Sequence, residues 1–444
     1  MHLQPKYQQF IFEDYSFNPH TKTLDLRYSL YGILQFCETY RFDFDFADYD
    51  DMVLQRSLET LFFMAGVSYF KTYIPQNIVV RTGILTSDDA AFFSKTYQRG
   101  LGEFWYVNKL DPRTAIDFPA NSPEVQPTLL ADGDGLLVGL GGGKDSLLTI
   151  EMLSSAKRPL ATWALGYKAQ LQPLVDAIGL PHLSVERTLD RQLLELNAAD
   201  AYNGHVPISA IFAAVGTVVA VLSGRRDCVV SNESAANEPT LEYQGVAINH
   251  QYSKSQEFER DYQSYLTRHY GESLRYYSFL RPLSELRIAE LFAAIGFSKY
   301  AGVFSSCNRA FAHDSQQMYW CGNCPKCAFV FLILTPFIGR SDVEKLWRGK
   351  NLLLDPQLQP VYRQLLGIQG DKPLECVGEI QESRTAMKLA FDIYPELIGL
   401  YSFDIPDNYD YRQIMTDEMP TEIHHIFMDS LQRLQVQLPP APLE

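Results

Sequence analysis

Hydrophobic residues near the N-terminus alternate with polar ones, the pattern of β-strands that bury one face. Residues 24–30 and 36–46 follow this period of two. The stretch 52–73 instead spaces its apolar residues at helical intervals. We therefore predict an N-terminal α+β domain over residues 1–127, in which a helix packs on a sheet.

The pattern changes after a stretch rich in Pro, Asp and Ser at residues 110–132, which is typical of a link between domains. Beyond it, short apolar runs alternate with helical segments, as in parallel sheets with crossover helices. The predicted elements are a strand at 136–140, a helix at 145–156, strands at 159–165 and 182–185, a helix at 207–222 and a strand at 228–231. We predict an α/β domain over residues 128–335 and a mostly helical C-terminal extension over 336–444.

The longest apolar stretch, Ile208–Leu222, is shorter than the ~20 residues that cross a bilayer, so it predicts a buried helix. No secretory signal is visible, and we expect a cytoplasmic protein without a membrane partner. The chain has 38 Lys and Arg against 53 Asp and Glu, a net charge of -15. This acidic balance argues against broad capture of nucleic acid.

A glycine-rich segment, LLVGLGGGKDSLLTIEML, lies between a predicted strand and a predicted helix. The glycines at 141–143 let the backbone approach an anion, and the helix start adds unpaired N–H groups and a positive dipole end. A Walker A loop is absent, because Val138 occupies its first glycine position and Asp145 follows Lys144. The segment predicts a phosphate site, the alternative being a glycine turn that only caps a helix.

The same segment resembles the S-G-G-x-D-S loop of the PP-loop ATP pyrophosphatases, which cleave ATP between the α and β phosphates and adenylate a carboxylate or carbonyl oxygen. Gly141 stands where that family has Ser, so backbone N–H groups must replace one hydroxyl donor. Residues 279–292 resemble a helix-start segment found late in such domains, which extends the resemblance over 136–330. It implies that ATP and Mg²⁺ are bound by Gly141, Gly142, Gly143, Lys144, Asp145 and Ser146.

Four of the seven cysteines are clustered, three of them as C-x-x-C-x-x-C. The four are Cys307, Cys321, Cys324 and Cys327. Four thiolates suit a structural tetrahedral Zn²⁺, and the segments resemble the zinc site of the deazaguanine-forming PP-loop branch. An iron–sulfur cluster or no metal are the alternatives. The other three cysteines are expected to pack as small hydrophobes, namely Cys37, Cys228 and Cys376.

A polar segment follows the strand that ends near Ser231, at the kind of edge where open α/β sheets bind ligands. Its candidate acid/base residues are Glu233, His250 and Lys254, with Cys228 a weaker candidate because strand cysteines usually lie in the core. Its candidate substrate contacts are Asn232, Glu238 and Asn249. His205 either approaches the same cleft or only begins the apolar helix. The alternative for the segment is an exposed loop followed by a solvated helix.

Four segments, SNESAANEP, INHQYSKS, GGGKDS and CGNCPKC, resemble the bacterial UDP-N-acetylmuramoyl-L-alanyl-L-glutamate epimerases, and the resemblance covers nearly the whole chain. It implies that the terminal L-Glu of a UDP-linked muramoyl dipeptide becomes D-Glu in peptidoglycan synthesis, with ATP converted to AMP and pyrophosphate. A basic side chain is expected to hold the UDP diphosphate, and the candidates are Arg225, Arg226, Arg281 and Arg287.

Adenylation explains why a nucleotide-binding fold could serve an epimerase. It removes the charge of the carboxylate, so that loss of the α-hydrogen gives an enolate that preorganised donors stabilise. Inversion then needs two acid/base groups on opposite faces, or one group that reaches both. Two other hypotheses are adenylation of a nucleobase or tRNA, and a noncatalytic nucleotide-binding partner, which the missing loop serine favours. The oligomeric state is not predicted.

Overall fold

The computed structural model describes residues 6–130, 133–311 and 317–435, so the ends of the predicted linker and extension lie outside the described residues. The strands are β1 (Gln9–Asn18), β2 (Thr23–Leu30), β3 (Leu34–Asp43), β4 (Asn77–Val80), β5 (Leu136–Gly139), β6 (Leu160–Leu165), β7 (His182–Thr188), β8 (Asp227–Val230), β9 (Leu241–Tyr243), β10 (Val246–Ile248) and β11 (Arg275–Ser278). The helices are α1 (Asp51–Ala65), α2 (Val67–Phe70), α3 (Ser87–Gly100), α4 (Gly102–Val107), α5 (Lys144–Leu153), α6 (Lys168–Ile178), α7 (Arg191–Ala198), α8 (Ile208–Leu222), α9 (Gln256–Tyr270), α10 (Glu285–Ile295), α11 (Phe297–Tyr300), α12 (Pro325–Leu346), α13 (Gln359–Leu365), α14 (Ile380–Ala390) and α15 (Thr421–Gln435).

One sheet of nine strands runs through the molecule in the order β11-β8-β5-β6-β7-β3-β2-β1-β4. The strands from β11 to β7 are parallel, and their order is that of doubly wound folds, in which the chain starts in the middle and reverses direction. β5 is the first of these strands, β6 lies on one side of it and β8 on the other. The topological switch point is therefore between β5 and β8. The predicted α/β class is confirmed.

The N-terminal strands extend this sheet. β3 pairs antiparallel with β7, and β2, β1 and β4 follow outward. The predicted helix over 52–73 is present as α1 and α2, with a one-residue break at Gly66, where a Cβ would lie 2.6 Å from the Phe12 ring. The predicted domain limits at 127 and 335 stay predictions.

The apolar helix α8 is buried, as predicted, and its Gly216 lies against Trp163 of β6, where a Cβ would come within 3.0 Å of the indole. Within the described ranges, none of the helices combines the length and apolar character needed to cross a membrane. The helices of the C-terminal part pack on the same α/β body: α12 contacts α10 and α14, and α15 contacts α5. A kink at Gly339 divides α12.

A buried ion pair joins the N-terminal strands to the parallel sheet. Arg187 on β7 donates from Nε to Glu38 Oε1 at 2.7 Å and from Nη2 to Glu38 Oε2 at 3.2 Å, and the Tyr40 hydroxyl donates to the same carboxylate at 2.5 Å. The Glu38 side chain is 0% exposed. The β3–β7 junction therefore depends on a charge pair that water cannot replace.

We expect Glu38→Ala to lower the free energy of unfolding by about 3–5 kcal/mol, because it leaves the Arg187 charge buried without its partner. Arg41→Ala is the matched control, since it breaks the exposed Arg41–Glu186 pair on the same two strands and should cost at most about 1 kcal/mol. Urea unfolding followed by tryptophan fluorescence measures both. An equal loss for the two variants would contradict a special role of the buried pair.

Candidate active site

The glycine loop and the polar segment meet at the switch point. The glycine loop follows β5, and residues 231–233 follow β8, its parallel neighbour. The Ser231 hydroxyl donates to the Thr149 hydroxyl of α5 at 2.8 Å. The two segments that sequence patterns singled out thus share the edge where doubly wound sheets bind ligands.

The glycine loop leads directly into α5. Gly143 precedes the helix, no side chain caps the first turn, and the Ser146 hydroxyl turns back to the Gly143 carbonyl at 3.1 Å. Gly142 has φ of +85°, a left-handed conformation that favours glycine. Gly141 is exposed, and a Cβ built on it meets no atom within 4 Å. The position of the PP-loop serine therefore has room for a side chain.

A covering segment, residues 303–311, lies against the other side of this loop. The Ser305 N–H donates to the Gly142 carbonyl at 3.0 Å, and a Cβ on Gly143 would lie 3.0 Å from Ser306 Cβ. The Phe311 ring packs edge-on against Tyr167 at 5.1 Å between centroids. The loop is thus held from one side by a segment that leads into the cysteine cluster.

Lys144 points into the protein. Its ammonium contacts Asp145 at 2.5 Å and also Glu285, and Lys326 lies 3.8 Å from Glu285. Burial opposes the charge on Lys144, but Asp145 and Glu285 raise its pKa. Burial also opposes the Asp145 carboxylate, but Lys144 and Lys326 lower its pKa. Asp145 is therefore an anion at the loop, whereas the Lys144 charge is already engaged by two carboxylates.

Arg281 fixes the backbone of two predicted acid/base residues. It is fully buried and binds Glu259 with two hydrogen bonds of 3.0 and 2.8 Å. Its other donors reach the carbonyls of Glu233 and Lys254, each at 2.5 Å. Arg281 thus holds in place the backbone that carries these two side chains.

Two of the four candidate arginines are buried in ion pairs, and a diphosphate clamp by any of the four stays a prediction. Arg281 is engaged as described, and Arg287 is buried in a pair with Glu290. Arg225 and Arg226 precede β8, so they lie at the amino end of the parallel strands, across the sheet from the glycine loop. The sequence shows the charges of Arg281 and Arg287 but not the buried carboxylates that pair with them.

His250 is hydrogen-bonded to Glu103, and His205 lies beside both, with its Nδ1 3.6 Å from the same Glu103 oxygen. The His250 Nδ1 bonds the Glu103 carboxylate, and the two imidazole rings lie 4.7 Å apart. Burial and the charge of His250 lower the pKa of His205 to about 4. Burial opposes the charge on His250, but hydrogen bonds to Cys376 and Glu103 raise its pKa to about 9. At neutral pH His250 is therefore cationic and His205 neutral. Sequence patterns did not identify Glu103, which lies on α4.

Cys376 is the second residue that sequence reasoning missed. Its sulfur accepts a hydrogen bond from Lys254 Nζ at 3.2 Å, and the nearby His250 also lowers the pKa of this thiol. The expectation that Cys376 packs as a small hydrophobe is wrong, because its neighbours are charged. Cys37 is exposed on β3 and does not pack either, whereas Cys228 is buried, as expected, with its thiol on the Gly216 carbonyl.

The predicted substrate contacts have local partners. The Asn232 carbonyl accepts from the Ser278 hydroxyl at 2.6 Å, and Glu238 pairs with Lys372. The Asn249 side chain donates to the Ala236 carbonyl at 2.8 Å and accepts from the Gln251 N–H at 2.7 Å. The Asn249 amide therefore holds the polar segment in shape, and substrate contact by these three residues stays a prediction.

The four clustered cysteines converge, with all four sulfurs within 4.8 Å of one another. The Cys321 and Cys327 sulfurs are 3.7 Å apart, close to the about 3.8 Å edge of a tetrahedron with Zn–S bonds of about 2.3 Å. Two backbone N–H groups donate to sulfur: Gly322 to Cys327 and Cys327 to Cys324, each at 3.4 Å. The donor set fits one soft, four-coordinate cation, and it also leaves the iron–sulfur alternative open.

Comparison with known proteins gives two family matches. Residues 1–279 match the model of the MurL N-terminal domain, and residues 303–394 match that of the MurL C-terminal domain. A protein of Salinispora tropica is 41% identical over 338 residues, which are 76% of this chain and 73% of the relative. A protein of Xanthomonas oryzae pv. oryzae is 41% identical over 340 residues, 75% of this chain and 74% of the relative. Both relatives are named UDP-N-acetyl-alpha-D-muramoyl-L-alanyl-L-glutamate epimerase.

The glycine loop offers a matched pair of substitutions. Gly142→Ala should lower the free energy of unfolding by about 1–2 kcal/mol or more, because φ is +85° and the new methyl would meet Phe311 and Met318 at 3.0 Å. Gly141→Ala has open space and should stay within about 0.5 kcal/mol of the natural protein. Denaturant unfolding measures both, and a larger loss at Gly141 would contradict this geometry.

Proposed function

The chain belongs to the MurL family, and we propose that it inverts the terminal L-Glu of UDP-N-acetyl-alpha-D-muramoyl-L-alanyl-L-glutamate at the β5–β8 switch point. One observation carries the proposal. A glycine loop at the start of a helix and a group of titratable side chains share one edge of the sheet. The names of the relatives, at 40–41% identity over three quarters of the chain, supply the substrate.

ATP activates the substrate in this proposal. The uncapped first turn of α5 and the exposed Gly141 suit a phosphate group, and the anionic Asp145 suits Mg²⁺. The glutamate carboxylate attacks the α-phosphorus, pyrophosphate leaves, and the acyl group carries AMP. Because the carboxylate charge is then gone, the α-hydrogen becomes acidic enough for a side chain to remove.

Proton transfer in this proposal is carried out by the residues near Lys254. Burial opposes the charge on Lys254, but Cys376 and Glu233 raise its pKa, so it is a cation between two acidic partners. A fixed ammonium of this kind can stabilise the enolate oxygen, while Glu233 and His250 remain candidates for moving protons. After reprotonation, water releases the D-Glu product and AMP.

A Zn²⁺ ion at the four cysteines has a structural role in this proposal. The cysteine cluster lies between the two halves of the cleft. Ser305, two residues before Cys307, bonds the glycine loop, and Asn308 bonds Glu375 beside Cys376. Lys326, between two cysteines of the cluster, donates to the Cys376 carbonyl. A metal here would hold the covering segment and the Cys376 segment in one arrangement.

The reaction itself provides the main test. In deuterated water the L-Glu substrate should gain deuterium at the glutamate α-carbon only when ATP and Mg²⁺ are present, with AMP and pyrophosphate as products. Asp145→Asn should slow turnover by about 10²-fold or more, because it removes an anionic metal ligand. Mass spectrometry and a pyrophosphate assay follow both. ATP-independent exchange would overturn the adenylation step, and adenylation of tRNA or a nucleobase instead would overturn the substrate.

Metal content tests the zinc proposal. Purified protein should contain about one Zn²⁺ per chain, and Cys321→Ser should lose it, lower the melting temperature and weaken ATP binding, because the covering segment loses its anchor. Cys37→Ser, at an exposed thiol, is the control and should retain the metal. Elemental analysis and calorimetry give the result. Iron with labile sulfide, or full stability without metal, would refute the assignment.

A further inference from the structure

Cys376 has the surroundings of a reactive group. It is half-buried, it lies in the C-terminal part of the chain, and its sulfur is 3.2 Å from the Lys254 ammonium. His250 approaches the same sulfur from the polar segment, and Glu103 holds His250 from α4. The polar segment therefore places a cation and an imidazole beside this thiol, and α4 supplies the carboxylate that binds the imidazole.

We propose that the Cys376 thiolate is the acid/base group on one face of the glutamate α-carbon, with His250 and Glu103 as positioning residues that keep it charged. The inference rests on the epimerase function proposed above. The Cα–H bond breaks as an S–H bond forms, and its electron pair moves to the oxygen of the activated acyl group. A proton donor on the opposite face then delivers a proton to Cα. Both groups recover their protonation states by exchange with water.

The backbone at Cys376 is fixed well enough for this role. The Cys376 carbonyl accepts from Lys326, and the neighbouring Glu375 accepts from Asn308. Both donors flank the cysteine cluster. The backbone at this residue is thus held from two sides, as the precise placement of an acid/base group requires.

The charges around the sulfur favour the thiolate. Burial opposes it, but Lys254, His250 and Lys326 lower the pKa of Cys376 to about 6. Glu375, on the same segment, is the acidic neighbour, and its own pKa is raised by burial and by Cys376. With His250 protonated up to about pH 9, the thiolate–imidazolium pair exists between about pH 6 and 9. Activity should rise through the lower limit and fall through the upper one.

Two half-reactions, measured in variants, distinguish proton transfer by the thiolate from the adenylation step. Cys376→Ala should retain substrate-dependent exchange between ATP and pyrophosphate, since adenylation does not use the thiol. Its deuterium incorporation at the glutamate α-carbon should fall by about 10²–10⁴-fold, the contribution of a positioned acid/base group. Cys37→Ala is the matched control and should match the natural protein in both assays. Circular dichroism checks folding.

Alkylation provides a readout that does not depend on turnover. Iodoacetamide should label Cys376 with a midpoint near pH 6, and His250→Gln should move this midpoint upward by roughly 1–3 units, the effect of losing a nearby opposite charge. Cys37 is the internal control, because burial and Asp25 raise its pKa and it should react only at higher pH. Peptide mass spectrometry separates the two sites.

The outcomes distinguish the two proposals. Wild-type rates of deuterium incorporation in folded Cys376→Ala, or a labelling midpoint at an ordinary thiol pKa, would overturn the role of Cys376. If the natural protein exchanges the α-hydrogen without ATP, the adenylation step is overturned. The rate of deuterium incorporation in Cys376→Ala, relative to that of the natural protein, still decides the role of the thiol. A natural protein that never exchanges this hydrogen overturns both proposals.

Discussion

Charge pairing at the carboxyl edge of the sheet is the constraint on which the site depends. Three lysines place ammonium groups there with limited contact to water, and a buried cation is costly unless an anion lies beside it. Lys144 and Lys326 have Glu285 between them. Lys254 has a sulfur as its nearest hydrogen-bond acceptor, and a neutral thiol balances an ammonium poorly. The lysine therefore stabilises a thiolate at Cys376. The same charge pair both stabilises the buried lysine and makes the thiol reactive.

This pairing also explains why the C-terminal part is needed. A doubly wound sheet with a glycine loop can bind a nucleotide by itself, but the sulfur that accepts a hydrogen bond from Lys254 is not part of it. Cys376 lies in the segment before α14, which the chain reaches only after the cysteine cluster. Ser305, Asn308 and Lys326 lie close to the cysteine cluster in sequence and bond to the glycine loop and to the Cys376 segment, so the cluster connects these two parts of the site.

Local patterns predicted the parts of the site whose residues are close in sequence. The strand before the glycine run, the helix after it and the C-x-x-C-x-x-C spacing each lie in one short stretch of sequence, and the structure has the predicted elements there. Glu103 and Cys376 have no such signature, because their partners are 147 and 122 positions away. Arg281 shows the same limit of sequence patterns. Sequence shows the charge of Arg281 but not the buried Glu259 that neutralises it.

The position of Glu103 gives the N-terminal part a role in the chemistry. It lies on α4, in the part of the chain whose strands join the parallel sheet only through β3 and β7. Proton transfer needs groups held within about 0.5 Å, a tolerance that a flexibly linked domain would not provide. The continuous sheet meets this requirement, since the buried Glu38–Arg187 pair locks the junction between its two halves. The extended sheet is therefore part of the active-site construction, because it carries the carboxylate that orients His250 toward Cys376.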